Sequence, residues 1–147
     1  MQIEIRELQE ADIEVLAEVE AEAFSMPWTK KDFQGLLEHP YCFYLTALVD
    51  GRPVGCCGYT NSCNEADIDN VVVDRQYRGR GIGQAMLREL IARGESAGIE
   101  AFTLEVRVGN EAAIHIYEKA GFRSEGIRPN FYEKPREDAM IMWRRKI

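Results

Sequence analysis

The chain reads as an α/β domain of mixed α+β character, with a single mixed, mainly antiparallel central sheet flanked by helices. Three observations carry that reading. Stretches with strand-like alternation or β-branched and aromatic enrichment interleave with stretches of helical period, in the order β-α-α-β-β-β-α-β-α-β-β. Asp50-Gly51 lies between two strand-like runs and is a strong hairpin signal. A glycine-rich turn joins a valine triplet to a helical stretch.

Each element has its own justification. Ile3, Ile5 and Leu8 stand among polar residues over 2–8 and give an edge-like strand. From Asp12 onward Ile13, Leu16, Ala17, Glu20, Ala23 and Phe24 recur at helical spacing, so an amphipathic helix is expected there. Pro27 interrupts it, and Thr29 with Asp32 three residues on resembles a capping box for a short helix over 30–38. The connection Phe24-Ser25-Met26-Pro27-Trp28-Thr29 places Trp28 on a loop, where packing and binding both account for an aromatic residue. Residues 41–49, 53–60 and 65–74 read as strands, the last ending in Val71-Val72-Val73. Ile82, Ala85, Met86, Leu90 and Ile91 fill one helical face up to Gly98, the expected C-cap. A strand over 101–108, a helix over 110–120 stopped by Gly121, and a closing strand pair over 122–132 and 138–146 complete the order. With no repeat, low-complexity tract or linker, residues 1–147 are read as one domain.

At 147 residues the chain is long enough to bury a core without disulfide or metal staples. Its 46% hydrophobic and 29% charged residues set aside disordered and collagen-like classes. No apolar run approaches the roughly 20 residues of a membrane span, and no basic segment followed by an apolar one opens the chain, so a cytoplasmic protein without a membrane partner is expected. Cys42, Cys56, Cys57 and Cys63 lack C-x-x-C spacing and are expected as buried or half-buried free thiols. His39 and His115 stand outside any H-E-x-x-H pattern, and no metal site is expected. The net charge is −7, and residues 1–24 carry it, with eight carboxylates against Arg6 alone. Such a run is ordinarily a solvated helix face and otherwise a docking surface for a basic partner. An acidic chain is a poor general binder of nucleic acid.

The glycine-rich turn poses the functional question. Arg78-Gly79-Arg80-Gly81-Ile82-Gly83-Gln84 lacks the lysine and hydroxyl of a P-loop. It also fails the dinucleotide fingerprint, because Gln84 and Met86 stand where a third glycine would fall. What remains is a strand, an arginine-bearing turn and the start of a helix. Helix N-termini carry unpaired N–H donors and partial positive charge, which suits a pyrophosphate. A glycine turn with solubilising arginines would explain neither the glycine spacing nor a basic cluster in an acidic chain.

These residues resemble the R/Q-x-x-G-x-G/A signature of the GNAT acetyltransferases, and the order of elements over nearly the whole chain is similar to that fold. The resemblance implies that Arg78 to Gln84 hold the pyrophosphate of acetyl-CoA and that the backbone of Val71, Val72 and Val73 pairs with its pantetheine arm. Leu104 to Phe122, "LEVRVGNEAAIHIYEKAGF", resembles a segment of the RimI-type branch, whose members acetylate protein N-termini. The Phe24-to-Thr29 loop is similar to that branch's F-x-x-P-W-[ST] loop. Arg128-Pro129-Asn130-Phe131-Tyr132 with Asp138-Ala139 resembles its R-x-x-Y-Y and D-A elements, Phe131 replacing the first tyrosine. On this resemblance Trp28, Arg128 and Tyr132 are candidate substrate-binding residues. The implied acceptor is a basic protein N-terminus, an alanine on small-subunit ribosomal protein number eighteen.

Acetyl transfer to an amine needs a neutral nitrogen, a polarised carbonyl and a proton for the departing thiolate. With a pKa of about 8 for an α-amine and about 10.4 for lysine, deprotonation at pH 7 costs about 1.4 and about 4.6 kcal/mol respectively. A modest base acting through water suffices for an N-terminus. By alternation alone Glu105 is an ordinary solvent-facing strand residue; the resemblance implies that it is the base. Tyr117 reads equally as a packing residue, and the resemblance implies that it donates a proton to the CoA sulfur. Asn110 caps the following helix or bonds the pantetheine, two compatible roles. Transfer is direct, without a cysteine nucleophile. A GNAT acting on lysine or a small-molecule amine, and a CoA-binding module without turnover, are the alternatives.

Overall fold

The computed structural model describes residues 2–24 and 27–145. Ser25 and Met26 of the connecting loop and Lys146 of the last expected strand lie outside the described residues. Seven strands, β1 (Ile3–Glu7), β2 (Cys42–Val49), β3 (Arg52–Ser62), β4 (Glu65–Val73), β5 (Ala101–Arg107), β6 (Arg123–Glu133) and β7 (Arg136–Arg145), form one sheet in the order β1-β2-β3-β4-β5-β7-β6. Helices α1 (Ile13–Ala23), α2 (Lys30–Glu38), α3 (Ile82–Ser96) and α4 (Glu111–Lys119) flank it. All neighbouring strands run antiparallel except β4 and β5, so the sheet is mixed and mainly antiparallel.

Local chemistry accounts for the element ends. Asp50 and Gly51 both adopt positive φ, 49° and 83°, as a two-residue hairpin turn requires. The Thr29 hydroxyl accepts from the Asp32 amide at 3.3 Å while the Asp32 carboxylate accepts from the Thr29 amide at 2.8 Å, a complete capping box on α2. Asn110 caps α4 by accepting the Ala113 N–H at 3.2 Å.

Both faces of the sheet are covered, which is why β2 and β3 read as nearly continuous apolar runs. One face packs α1 and α2 on Tyr44, Cys56 and Val72. The other packs α3 on Leu45, Cys57, Phe102 and Leu104. Cys56 and Cys57 are consecutive in one strand and enter opposite cores, since successive side chains alternate across a strand. Cys63 departs from the expected burial and is exposed, on the turn between β3 and β4.

The acidic run is not uniformly solvated either. Asp12 and Glu20 are each only 2% exposed. For Asp12 desolvation alone would raise the pKa, but the Arg6 fork at 2.8 and 2.9 Å and the Gln9 N–H at 2.9 Å outweigh it and lower the pKa. Arg6, the single cation of that segment, is therefore spent on one internal carboxylate.

The sheet's important irregularity lies at its centre. β4 pairs with β5 only through Glu65–Ala101, Ala66–Phe102 and Asp67–Thr103. Beyond that point β4 follows β3 as far as Val73 and β5 follows β7 as far as Arg107, and the two strands part. In β4 the register shifts between Gly58↔Asn70 and Tyr59↔Ile68, leaving Asp69 as the extra residue of a bulge.

Gly94 of α3 shows how tightly the α3 core is filled, because a Cβ there would stand 2.7 Å from the Phe102 Cζ. Glycine to alanine inside a helix ordinarily stabilises by about 0.5–1 kcal/mol, whereas overpacking costs about 1–3 kcal/mol. Gly94→Ala is therefore expected to destabilise the fold by about 1 kcal/mol net, read as a lower urea midpoint. An unchanged or raised midpoint would mean that Phe102 yields without cost.

Candidate active site

A cleft of about 720 Å³ opens where β4 and β5 part. Ile68, Asp69 and Val71 of β4 and Leu104 to Arg107 of β5 form its walls. The end of α1 and the connection after it contribute one rim with Glu20, Ala23, Phe24 and Trp28. Phe131 to Pro135, where β6 turns into β7, contribute the facing rim, and Asn110, Ala113 and Tyr117 of α4 the end.

The glycine turn starts where β4 stops. Asp74 accepts the Gln76 N–H at 3.0 Å and begins a short 3₁₀ turn, Arg75–Tyr77. Gly79 and Gly81 follow with φ of 77° and 79°, a conformation that side-chain-bearing residues rarely adopt. Gly81 is the N-cap of α3 and has no side-chain cap. The first intrahelical bond runs from the Ala85 N–H to the Gly81 carbonyl at 3.0 Å, so the amides of Ile82, Gly83 and Gln84 precede it. Open space surrounds the missing Cβ positions of Gly79 and Gly81. This bare, donor-rich helix start has the chemistry to receive a phosphate-like anion. Arg78 lies along the turn with its Nε donating to the Val73 carbonyl at 3.1 Å, and the Arg80 guanidinium sits 5.3 Å from the Tyr77 ring centroid. The Ile82 side chain is core, 1% exposed, and offers only its backbone. Of the valine triplet only Val71 lines the cleft; Val72 is buried toward α1, and Val73 packs on the α3 core.

Glu105, Tyr117, Asn110, Trp28 and Tyr132 come together in the one cleft. Glu105 stands on β5 between Leu104 and Val106, past the last residue paired with β4. Tyr117 is 9% exposed and packs edge-on against Phe122 with ring centroids 5.9 Å apart. Burial pushes its phenol's pKa well above the ordinary tyrosine value, which already leaves the hydroxyl protonated at neutral pH. Trp28 is wedged between Phe33 and Tyr44, at centroid distances of 5.5 and 5.7 Å. Its amide donates to Glu20 Oε1 at 3.4 Å.

Tyr132 reaches the cleft because the β6–β7 register shifts between Arg128 and Tyr132. Asn130 takes a φ of 54° there, and Asp138 receives its N–H at 2.9 Å. Arg107 then clamps the hairpin: its guanidinium lies 4.2 Å from the Tyr132 ring centroid and donates to the Pro135 carbonyl at 2.8 Å and to Glu137 at 3.2 Å. Desolvation and the charge of Glu105 raise the Tyr132 pKa. Arg128 falls outside the cleft lining, its guanidinium 5.2 Å from the Phe131 ring centroid.

Sequence reasoning missed four residues in or beside the site, Glu20, Arg107 and Asp69 in its lining and Asp67 next to it. Glu20 stood in the apolar register of α1, a signal of burial that could have been read. Arg107, within the L-E-V-R segment, gave no sign that its partners lie in the hairpin beyond β6. Asp67 and Asp69 gave none in sequence, because the bulge that sets Asp69 in the wall depends on pairing with β3.

Residues 6–122 match the acetyltransferase (GNAT) family, and the chain belongs to it. It is accordingly an acetyl-CoA-dependent N-acetyltransferase. It is similar to the putative [ribosomal protein bS18]-alanine N-acetyltransferase of Bacillus subtilis strain 168, 38% identical over 95% of this chain and 93% of that protein. The [ribosomal protein bS18]-alanine N-acetyltransferase of Escherichia coli K12 is 36% identical over 94% of each chain. The crystal structure of the ribosomal-protein-S18-alanine N-acetyltransferase from Escherichia coli superposes with a TM-score of 0.91 at 31% identity, covering 99% of this chain and 96% of that one. Among the described residues no helix is long and apolar enough to cross a membrane, and no group of three or more His, Cys, Asp or Glu is placed to hold a metal ion.

The Asp67 carboxyl is pushed up to about 6 by desolvation first and then by Asp69 and Glu105, with Arg128 opposing. An unfolded chain loses this proton near the ordinary aspartate value of about 3.9. The folded state thus binds the proton more tightly, and stability falls as pH rises through that interval. Asp67→Asn should be more stable than wild type at pH 8 and indistinguishable from it below about pH 4. Urea midpoints at the two pH values measure this; a loss of stability at pH 8 would contradict the stated surroundings of Asp67.

Proposed function

We propose that this protein acetylates the N-terminal α-amine of a protein, in the first instance an alanine of small-subunit ribosomal protein number eighteen. The observation that carries the reading is that Glu105 and Tyr117 face one cleft between the Trp28 rim and the Tyr132 rim. The names of relatives matched over nearly the whole chain support the acceptor.

Acetyl-CoA supplies the activated acetyl thioester. Arg78 to Gln84 would hold its pyrophosphate through backbone N–H groups and positive charge. The edge of β4 that β5 has left offers main-chain groups, at Val71 and Val73, to the pantetheine and the thioester carbonyl. Glu105 accepts, through water, the proton that an α-ammonium must lose. Tyr117, a neutral phenol lining the cleft, would hold at Oη the proton that the leaving thiolate needs. Asn110, already the cap of α4, can also orient the pantetheine from its side of the cleft. Trp28 and Tyr132 border the peptide. Arg128, outside the cleft lining, would bear on the peptide through Phe131. The acidic outer face of α1, with Glu14 and Glu18 exposed, would favour a basic acceptor protein over nucleic acid. The cytoplasm, where ribosomal proteins are made, is the matching compartment.

Incubation with acetyl-CoA, an alanine-starting ribosomal peptide, its N-terminally blocked lysine-containing twin and a polyamine, followed by mass spectrometry, tests the acceptor. Acetyl on the free α-amine alone is the expected result. Acetyl on lysine or polyamine would instead give a different acceptor class, and CoA binding with no transfer would indicate a module without turnover.

Glu105→Gln is expected to lower kcat by about 10²-fold or more, most strongly at low pH where the amine is protonated. Tyr117→Phe should lower kcat by a similar factor while acetyl-CoA still binds. Either variant keeping full activity between about pH 6 and pH 9 would remove that residue from its role.

A further inference from the structure

Asp69 is unused by the chemistry described so far, although it stands in the cleft wall as the bulged residue of β4. Two hydroxyls fix it, both on the same oxygen. Thr60 Oγ1 donates to Asp69 Oδ2 at 2.8 Å and Tyr44 Oη donates to Oδ2 at 3.4 Å. The other oxygen, Oδ1, takes no hydrogen bond among the described residues.

The placement has a traceable cause. Gly58 lies against the Tyr44 ring so closely that a Cβ would overlap it. The bare glycine lets the ring lie across β3 and carry its hydroxyl to β4. The same ring packs on Trp28 at 5.7 Å, so Asp69 belongs to the Trp28 end of the cleft. The carboxylate is open to the cleft, yet enough protein surrounds it that desolvation raises its pKa, while Thr60 and Tyr44 pull the other way. A carboxylate that lines an open cleft and is held through one oxygen, chiefly by Thr60, leaves its second oxygen as an acceptor for a cationic or N–H-bearing ligand.

We propose that Asp69 is an acceptor-binding carboxylate that selects the amine, its Oδ1 receiving an N–H of the incoming α-amino group while Thr60 and Tyr44 hold Oδ2. The proposal rests on the reading of the acceptor as a peptide α-amine. It divides the work between two acids: Asp69 orients the nitrogen, and Glu105 on the opposite wall takes its proton through water.

The test is Asp69→Asn, whose amide oxygen can still accept from both hydroxyls but whose charge is gone. Three quantities are read: the KM for the alanine-starting peptide, the KM for acetyl-CoA, and the Ki of the same peptide with its α-amino group replaced by hydrogen. The peptide KM should rise about tenfold. The acetyl-CoA KM and the Ki of the des-amino peptide should each stay within about twofold, since neither contact involves the missing charge. An unchanged peptide KM, or a Ki that rises as much as the KM, would overturn the proposal, the second by revealing a general loosening of the wall. If Asp69→Asn does not fold, Thr60→Val removes the shorter of the two bonds on Oδ2. It should raise the peptide KM about threefold with no change in the Ki, and an unaltered KM would equally refute the role. Wild-type transfer to the α-amine is measured first. If wild type instead accepts another amine, the α-amine reading fails by itself, and the variants are scored with that amine and its des-amino analogue.

Discussion

The parting of β4 from β5 after Asp67 and Thr103 is the constraint on which the site depends. A sheet continuous at this point would bury both strand edges in hydrogen bonds and leave no cleft. Because β3 holds one side of β4 and β7 holds the far side of β5, each strand remains ordered after losing the other. The exposed edge of β4 is thereby made available without fraying, and Glu105 is presented on a strand whose backbone is already paired. The same divergence leads β4 into the glycine turn and α3, so one departure from regular pairing supplies the wall, the free main-chain groups and the approach to the bare helix start.

Around that opening, the titratable groups are set by what lies behind them. Tyr117 sits against Phe122 on the α3 side, where burial raises the phenol's pKa further. Asp67 lies where Asp69 and Glu105 both repel its charge, with Arg128 too weak a counterweight. Asp12, far less exposed than Asp67, goes the other way because Arg6 forks onto it. Burial alone therefore does not decide the ionisation of these acids; the cation within reach does.

Most of the fold was legible in the sequence, because hydrophobic period, Asp50-Gly51 and the Thr29–Asp32 box are local signals with local causes. The C-cap region of α3, with Gly98 at a φ of 95°, and the stop at Gly121, with 97°, were legible for the same reason. The conformation of the glycine turn was legible because the positive φ at Gly79 and Gly81 is written in the residues themselves. The side of the cleft to which each residue turns was not, since it depends on strand pairing. The Val72 side chain, for instance, enters the α1 core while that of Val71 lines the cleft. Arg128 matched a motif, yet the shifted register brings Phe131 and Tyr132 into the cleft lining and leaves Arg128 out of it. Asp69 carried no signal in sequence, since its bonds come from β2 and β3 and its bulge from a register shift.

The three-residue parallel ladder also orders the way this chain assembles. β2, β3 and β4 follow one another through tight turns, as do β6 and β7, so each group can zip up from short-range contacts. Joining them requires the whole of α3 to cross over first, and such non-local parallel pairing pays loop-closure entropy before it is rewarded. The cleft exists only after that docking. Recovery of acetyl transfer during refolding is thus tied to a contact between strands separated by the whole of α3.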